Sequence, residues 1–142
     1  MTIIERVLLL QNVEVFKEVT TEQLSFVAAI AEEISVDAGS VVYRENDPPD
    51  GLYVVVSGLI AAGRGQEAIE RIGPNGSFGV WALFDDMPRL TKAECLEDAR
   101  LLFVRRDDFY EVLADHVDIA QAIFKLLVHR LRRLTAAVEK SQ

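Results

Sequence analysis

The sequence predicts an α+β fold: an antiparallel β sandwich or barrel with helices before and after it. Three observations carry this prediction. Apolar residues recur at helical spacing at both ends of the chain. Between about residues 34 and 105, short β-rich runs alternate with turn signals. No helical pattern separates those runs, which argues against βαβ units and for strands packed as one block between helices.

Each element follows in order. Ile3, Ile4, Val7, Leu8 and Leu10 mark a short amphipathic helix over residues 2–11. After a turn at Phe16, "TTEQLSFVAAIAEEI" reads as a second helix, with Thr20 and Gln23 as a capping box and Leu24, Val27, Ala28 and Ile30 as its apolar stripe. The runs "ISVDAG", "SVVYREND", "LYVVVSGLIAAG", "EAIERIGPNG", "TKAECLEDA" and "RLLFVRR" then read as strands. Gly58 interrupts one of them and marks a bulge. "RDDFYEVLADH" is a helix capped by Asp107 or Asp108. In the last helix Ile119, Ile123, Leu127, Leu131, Leu134 and Val138 advance by three or four along one side, bordered by Arg130, Arg132 and Arg133.

Composition narrows the function. The 142 residues suit one domain with a real core, and 50% hydrophobic with 27% charged residues is an ordinary globular balance. A formal net charge of −8 argues against direct nucleic-acid binding, which needs a basic surface to displace counterions. No apolar run reaches the ~18 residues of a membrane span, and the N-terminal run is broken by Glu5 and Arg6, so a cytoplasmic domain without membrane insertion is expected. Cys95 is the only cysteine, which excludes an intrachain disulfide, and its alternating run makes it a buried small side chain. Both histidines, His116 and His129, lie outside the β block, so the strands supply no histidine ligands for a catalytic metal. The carboxylates are scattered at turns and helix ends. No catalytic residue and no metal site is expected, and the chain reads as a binding or regulatory module.

One segment has chemistry to offer. In "GSFGVWALFDDMPR", Gly76 and Gly79 let backbone approach a ligand closely, and a helical turn starting near Val80 would aim free N–H groups outward. Arg89, behind Pro88, can offer a planar fork to phosphate oxygens. These residues fit an anion site, and they fit equally a capped turn with a solvated arginine.

The stretches "DAGSVVYRENDPPDGLYVVVSGLI" and "IGPNGSFGVWALFDDMPRLTKAECLEDARLLFV" resemble the paired strands and the phosphate-binding cassette of the cyclic nucleotide-binding domain family, and the likeness covers about residues 11–135. The resemblance implies an antiparallel β-roll flanked by N-terminal helices and by C-terminal hinge and lid helices. The organisation it implies is one domain over 1–142: helices over 2–33, β-roll over 34–105, helices over 107–140. Phe78 and Gly79 match the cassette's Phe-Gly, Ala82 and Leu83 its Ala-Leu, and Pro88-Arg89 its Pro-Arg. Arg89 thereby inherits the cyclic phosphate, and backbone N–H groups around Trp81 to Leu83 inherit supporting contacts.

Two matches fail. Val80 stands where the family has a glutamate that accepts the ribose 2′-hydroxyl, and Leu90 stands where a small or hydroxyl residue follows the arginine. A hydrogen bond to a charged group contributes about 1.5–3 kcal/mol, so losing that carboxylate weakens binding by about ten- to a hundredfold. The expectation is a non-catalytic regulatory domain with weak or altered binding of cAMP or cGMP and no other cofactor. Two alternatives stand beside it: a ligand-free interaction module of a larger protein, and a sensor of another small anion. A homodimer through the last helix is expected because its apolar stripe outruns the β block.

Overall fold

Two fourteen-residue strands organise the molecule. The computed structural model describes residues 1–141, with side chains described to residue 139. The order of elements is α1 (Ile3–Leu10), a 3-10 turn (Glu14–Phe16), α2 (Thr21–Ile30), β1 (Glu32–Val36), β2 (Val41–Tyr43), β3 (Gly51–Arg64), β4 (Glu67–Ile72), β5 (Ser77–Phe78), a second 3-10 turn (Val80–Leu83), β6 (Lys92–Arg105), α3 (Arg106–Asp115) and α4 (Val117–Ser141). All strand pairs are antiparallel, in the order β1-β6-β3-β4, with β2 on β6 and β5 on β3. The α+β class is the one the sequence predicts.

Residues 52–56 of β3 and 101–104 of β6 are continuous apolar runs because both faces of the ribbon are covered there. Leu52 and Val54 pair with Val104 and Leu102 and face the helices, where they join Leu10, Phe16, Leu24, Val27, Phe109 and Ile119. The alternate residues Tyr53 and Val55 pair with Phe103 and Leu101 and face into the roll with Phe78, Ile60 and Cys95. The register of β3 against β6 shifts on both sides of Ser57, next to Gly58. Gly58 has φ +96°, and a Cβ there would meet Asp98 O at 2.5 Å, so the bulge requires glycine.

The Thr20–Gln23 capping box forms in both directions. Three expectations need correction. The second helix ends at Ile30 rather than running to 33, because Ala31 turns extended and Glu32–Val36 pair with Phe103–Ala99. Neither Asp107 nor Asp108 caps α3: the cap position is Arg105, without a side-chain bond, and the two aspartates occupy the first turn, where their charge favours the helix N-terminus. The stripe on α4 packs on the domain at its start and projects beyond Leu127, as expected. Ile119, Ile123 and Leu126 are buried and Leu127 is half-buried, whereas Leu131 and Leu134 stand 64% and 66% exposed. Phe124 and Val128 extend the outward face, at 68% and 45% exposure. Arg130 leaves the expected basic border by pairing with Glu14 of the domain's own N-terminal turn.

Candidate functional site

Arg89 is the only charged residue among the buried described residues, at 7% exposure. Its backbone is fixed by a reciprocal pair of bonds across the loop before β3: Arg89 N donates to Asp47 O at 2.8 Å, and Asn46 N donates to Arg89 O at 2.8 Å. The guanidinium then turns inward. Nη2 pairs with the Asp50 carboxylate and donates to Gly51 O at 2.7 Å, and Nη1 donates to Gly79 O at 3.1 Å. The charge stacks on Tyr43, with Cζ 4.0 Å from the ring centroid. Gly79 takes φ +78°, and a Cβ there would lie 2.5 Å from Arg89 Nη1, so only glycine leaves room for the fork.

Asp50 is shared. Tyr53 Oη donates to it at 2.7 Å, and burial together with this bond pushes the Tyr53 phenol well above its ordinary range. Burial likewise raises the Tyr43 phenol, against the pull of Arg89, with Asp50 and Glu70 adding to the rise. One atom remains unserved: Arg89 Nε is buried with no hydrogen-bond partner among the described residues. A buried donor left unpaired costs about 1–3 kcal/mol, more when charged.

A cleft of about 410 Å³ opens beside Arg89, lined among others by Tyr43, Glu70, Gly79, Trp81, Leu90 and Thr91. A smaller crevice of about 250 Å³ shares Tyr43, Glu70, Gly79, Trp81 and Thr91 with it and adds Phe78 and Val80. Of the residues singled out in the sequence, Gly79, Trp81, Ala82, Arg89 and Leu90 line the larger cleft, and Phe78, Gly79, Val80 and Trp81 the smaller. Leu83 lines neither and is fully buried in the core under the helices. Phe78 also serves the inner core, stacked on Tyr53 at 5.1 Å. Sequence reasoning gave no role to Asp50, Tyr43, Glu70 and Thr91. Asp50 sat in view in the Asp-Gly-Leu-Tyr run, but only the fold brings it to Arg89, across 39 positions. Among the described residues, no group of three or more His, Cys, Asp or Glu could hold a metal ion, and no helix is long and apolar enough to cross a membrane.

The fold and cleft define a β-roll domain with a buried arginine at the wall of a cleft. The chain belongs to the cyclic nucleotide-binding domain family, whose model matches residues 33–116. It is similar to a CRP-like cAMP-activated global transcriptional regulator from Mycobacterium tuberculosis, 28% identical over 130 residues, covering 88% of this chain and 58% of that protein. It is also similar to a cyclic AMP receptor protein from Thermus thermophilus, 31% identical over 99 residues, covering 66% of this chain and 46% of that one. The chain thus spans about half the length of these relatives. Among solved structures, the N-terminal domain of a transcriptional regulator from Streptomyces coelicolor A3(2) superposes with a TM-score of 0.83 at 27% identity, covering 91% of this chain and 96% of that one.

Proposed function

We propose that this chain is a non-catalytic sensor domain that binds a cyclic nucleotide weakly and relays that binding to partners through α4. The observation that carries the proposal is the buried Arg89 at the wall of a cleft. Its net charge selects among anions. Asp50 already cancels the guanidinium, and Glu70 and Asp85 add two carboxylates to the walls. Such a site tolerates the single charge of a cyclic phosphodiester better than the near-double charge of a phosphomonoester. This disfavours a general sensor of small anions. Val80 offers no acceptor to a ribose hydroxyl, and Leu90 brings an apolar side chain to the cleft where a hydroxyl would help a phosphate. Both support weak binding.

Calorimetry with cyclic AMP, cyclic GMP and 5′-AMP tests this. At least one cyclic nucleotide should bind in the micromolar to millimolar range, 5′-AMP more weakly, and Arg89→Ala should remove the signal. The absence of heat and of chemical-shift change at saturating millimolar cyclic nucleotide would overturn the proposal.

A second function rests on α4. Leu131 and Leu134 are exposed, and the same helix lines an apolar groove of about 300 Å³ that Trp81 and Phe84 close from the cassette side. A two-fold partner helix would cover this seam, so self-association through α4 is part of the proposal, and it also serves the alternative of a ligand-free interaction module. The cassette's turn and the helix meet in this groove, which supplies a physical route from ligand to partner.

A further inference from the structure

Glu70 is a carboxylate on the inner side of an edge strand. It lies opposite Ala62 in the β3–β4 register, and Ala62 lies opposite the fully buried Ala93 of β6. Residues directly opposite in an antiparallel pair share one face, and Ala62 belongs to the core inside the roll. Glu70 therefore looks across the mouth of the roll, and it lines both clefts. It carries no hydrogen bond or ion pair among the described residues. Beside burial, its charge helps to raise the Tyr43 phenol, which the charge of Arg89 pulls down.

From this juxtaposition, and resting on the cyclic nucleotide reading above, we propose that Glu70 reads the base of the ligand and makes this domain select guanine over adenine. The phosphate binds at Arg89 and is repelled by Glu70, so the ligand lies with its base toward β4. Trp81, 61% exposed and lining both clefts, offers the base a stacking surface. Guanine presents N1–H and the N2 amino group side by side, two donors for the two oxygens of a carboxylate. Adenine presents its N6 amino group next to N1, an acceptor that a carboxylate repels. Uncharged acceptors elsewhere on the ligand gain nothing from Glu70.

The test is calorimetric titration of the wild-type domain, Glu70→Gln and Glu70→Ala with cyclic GMP, cyclic IMP, cyclic AMP and 2′-deoxy cyclic GMP. Glu70 is exposed on an edge strand, so both variants should keep the fold, which circular dichroism checks. The wild type should bind cyclic GMP about tenfold or more tighter than cyclic AMP, as a charge-assisted hydrogen bond allows. Cyclic IMP, which keeps N1–H and lacks the amino group, should fall between them. Both variants should lose most of this ratio by losing affinity for cyclic GMP, with cyclic AMP held or improved. Equal affinity for both cyclic nucleotides, or a ratio unmoved by Glu70→Gln, would overturn the base assignment while leaving the cyclic nucleotide site standing. A Glu70→Gln effect on the ribo-to-deoxy ratio instead would move the contact to the sugar and overturn it too. If no cyclic nucleotide binds at all, the site itself fails, and the assignment with it.

Discussion

The guanidinium of Arg89 is held by Asp50, two carbonyls and the Tyr43 ring, and Gly79 makes the space for it. Gly79→Ala should therefore act twice: it strains a positive φ and pushes a methyl group into Nη1. The expected outcome is a loss of about 1–3 kcal/mol in denaturant unfolding together with loss of cyclic nucleotide binding. Val80 borders the smaller crevice and packs partly on the core under the helices. Val80→Glu should supply the missing ribose acceptor and tighten binding by about tenfold. In the unmodified domain a 2′-deoxy cyclic nucleotide should bind nearly as well as the ribo form, and comparative titration checks both statements. An unchanged affinity in Val80→Glu would show that Leu90 or Trp81 sets the limit instead.

At the scale of elements, the helix ends and the outward face of α4 carry the expectations. Thr20 accepts from Gln23 N at 3.1 Å and Gln23 returns the bond, so Thr20→Ala should cost about 1 kcal/mol in chemical denaturation. For α4, Leu131→Asp combined with Leu134→Asp should turn a dimer into a folded monomer, measured by sedimentation at micromolar concentration. A wild-type monomer would contradict self-association. The sequence marked the helix and the point near Leu127 beyond which its stripe projects, but not the inward place of Leu126 or the outward one of Phe124 and Val128. Spacing by three or four is satisfied by more than one choice of residues on so apolar a helix, and only packing shows that Ile119, Ile123 and Leu126 face inward while Phe124 and Val128 face out. Periodicity could not show either that Arg130 returns to Glu14.

For the whole molecule, the core ties the inner ring of tyrosines to the site, and pH exposes that link. The Tyr53 phenol is raised above its ordinary value of 10.0 by burial first and by Asp50 second. A raised folded value means that its stabilising contribution is complete below pH 10 and falls away as pH climbs above it. Melting temperature should drop above pH 10, and Tyr53→Phe should flatten that drop. The α+β class was legible because β3 and the second half of β6 write apolar runs between turn signals and the helices write their own periodicity. The cassette was legible as a sequence motif, and Arg89 with it. Its partners were not: Asp50, Tyr43 and Glu70 come from three other segments, and the loop bonds that bring 46–51 against 88–89 leave no local pattern.

The claim at the centre is that a ligand phosphate binds at Arg89, and the reporter is its Nε, which has no acceptor among the described residues. Its resonance can be followed directly in a nitrogen–proton correlation spectrum of arginine side chains, assigned by its disappearance in Arg89→Lys. On saturation with cyclic GMP or cyclic AMP, the Nε–H signal should move downfield and gain protection from solvent exchange, as a proton does when it enters a charge-assisted hydrogen bond. A signal that stays in place while other residues of the cleft respond to bound nucleotide would contradict the claim.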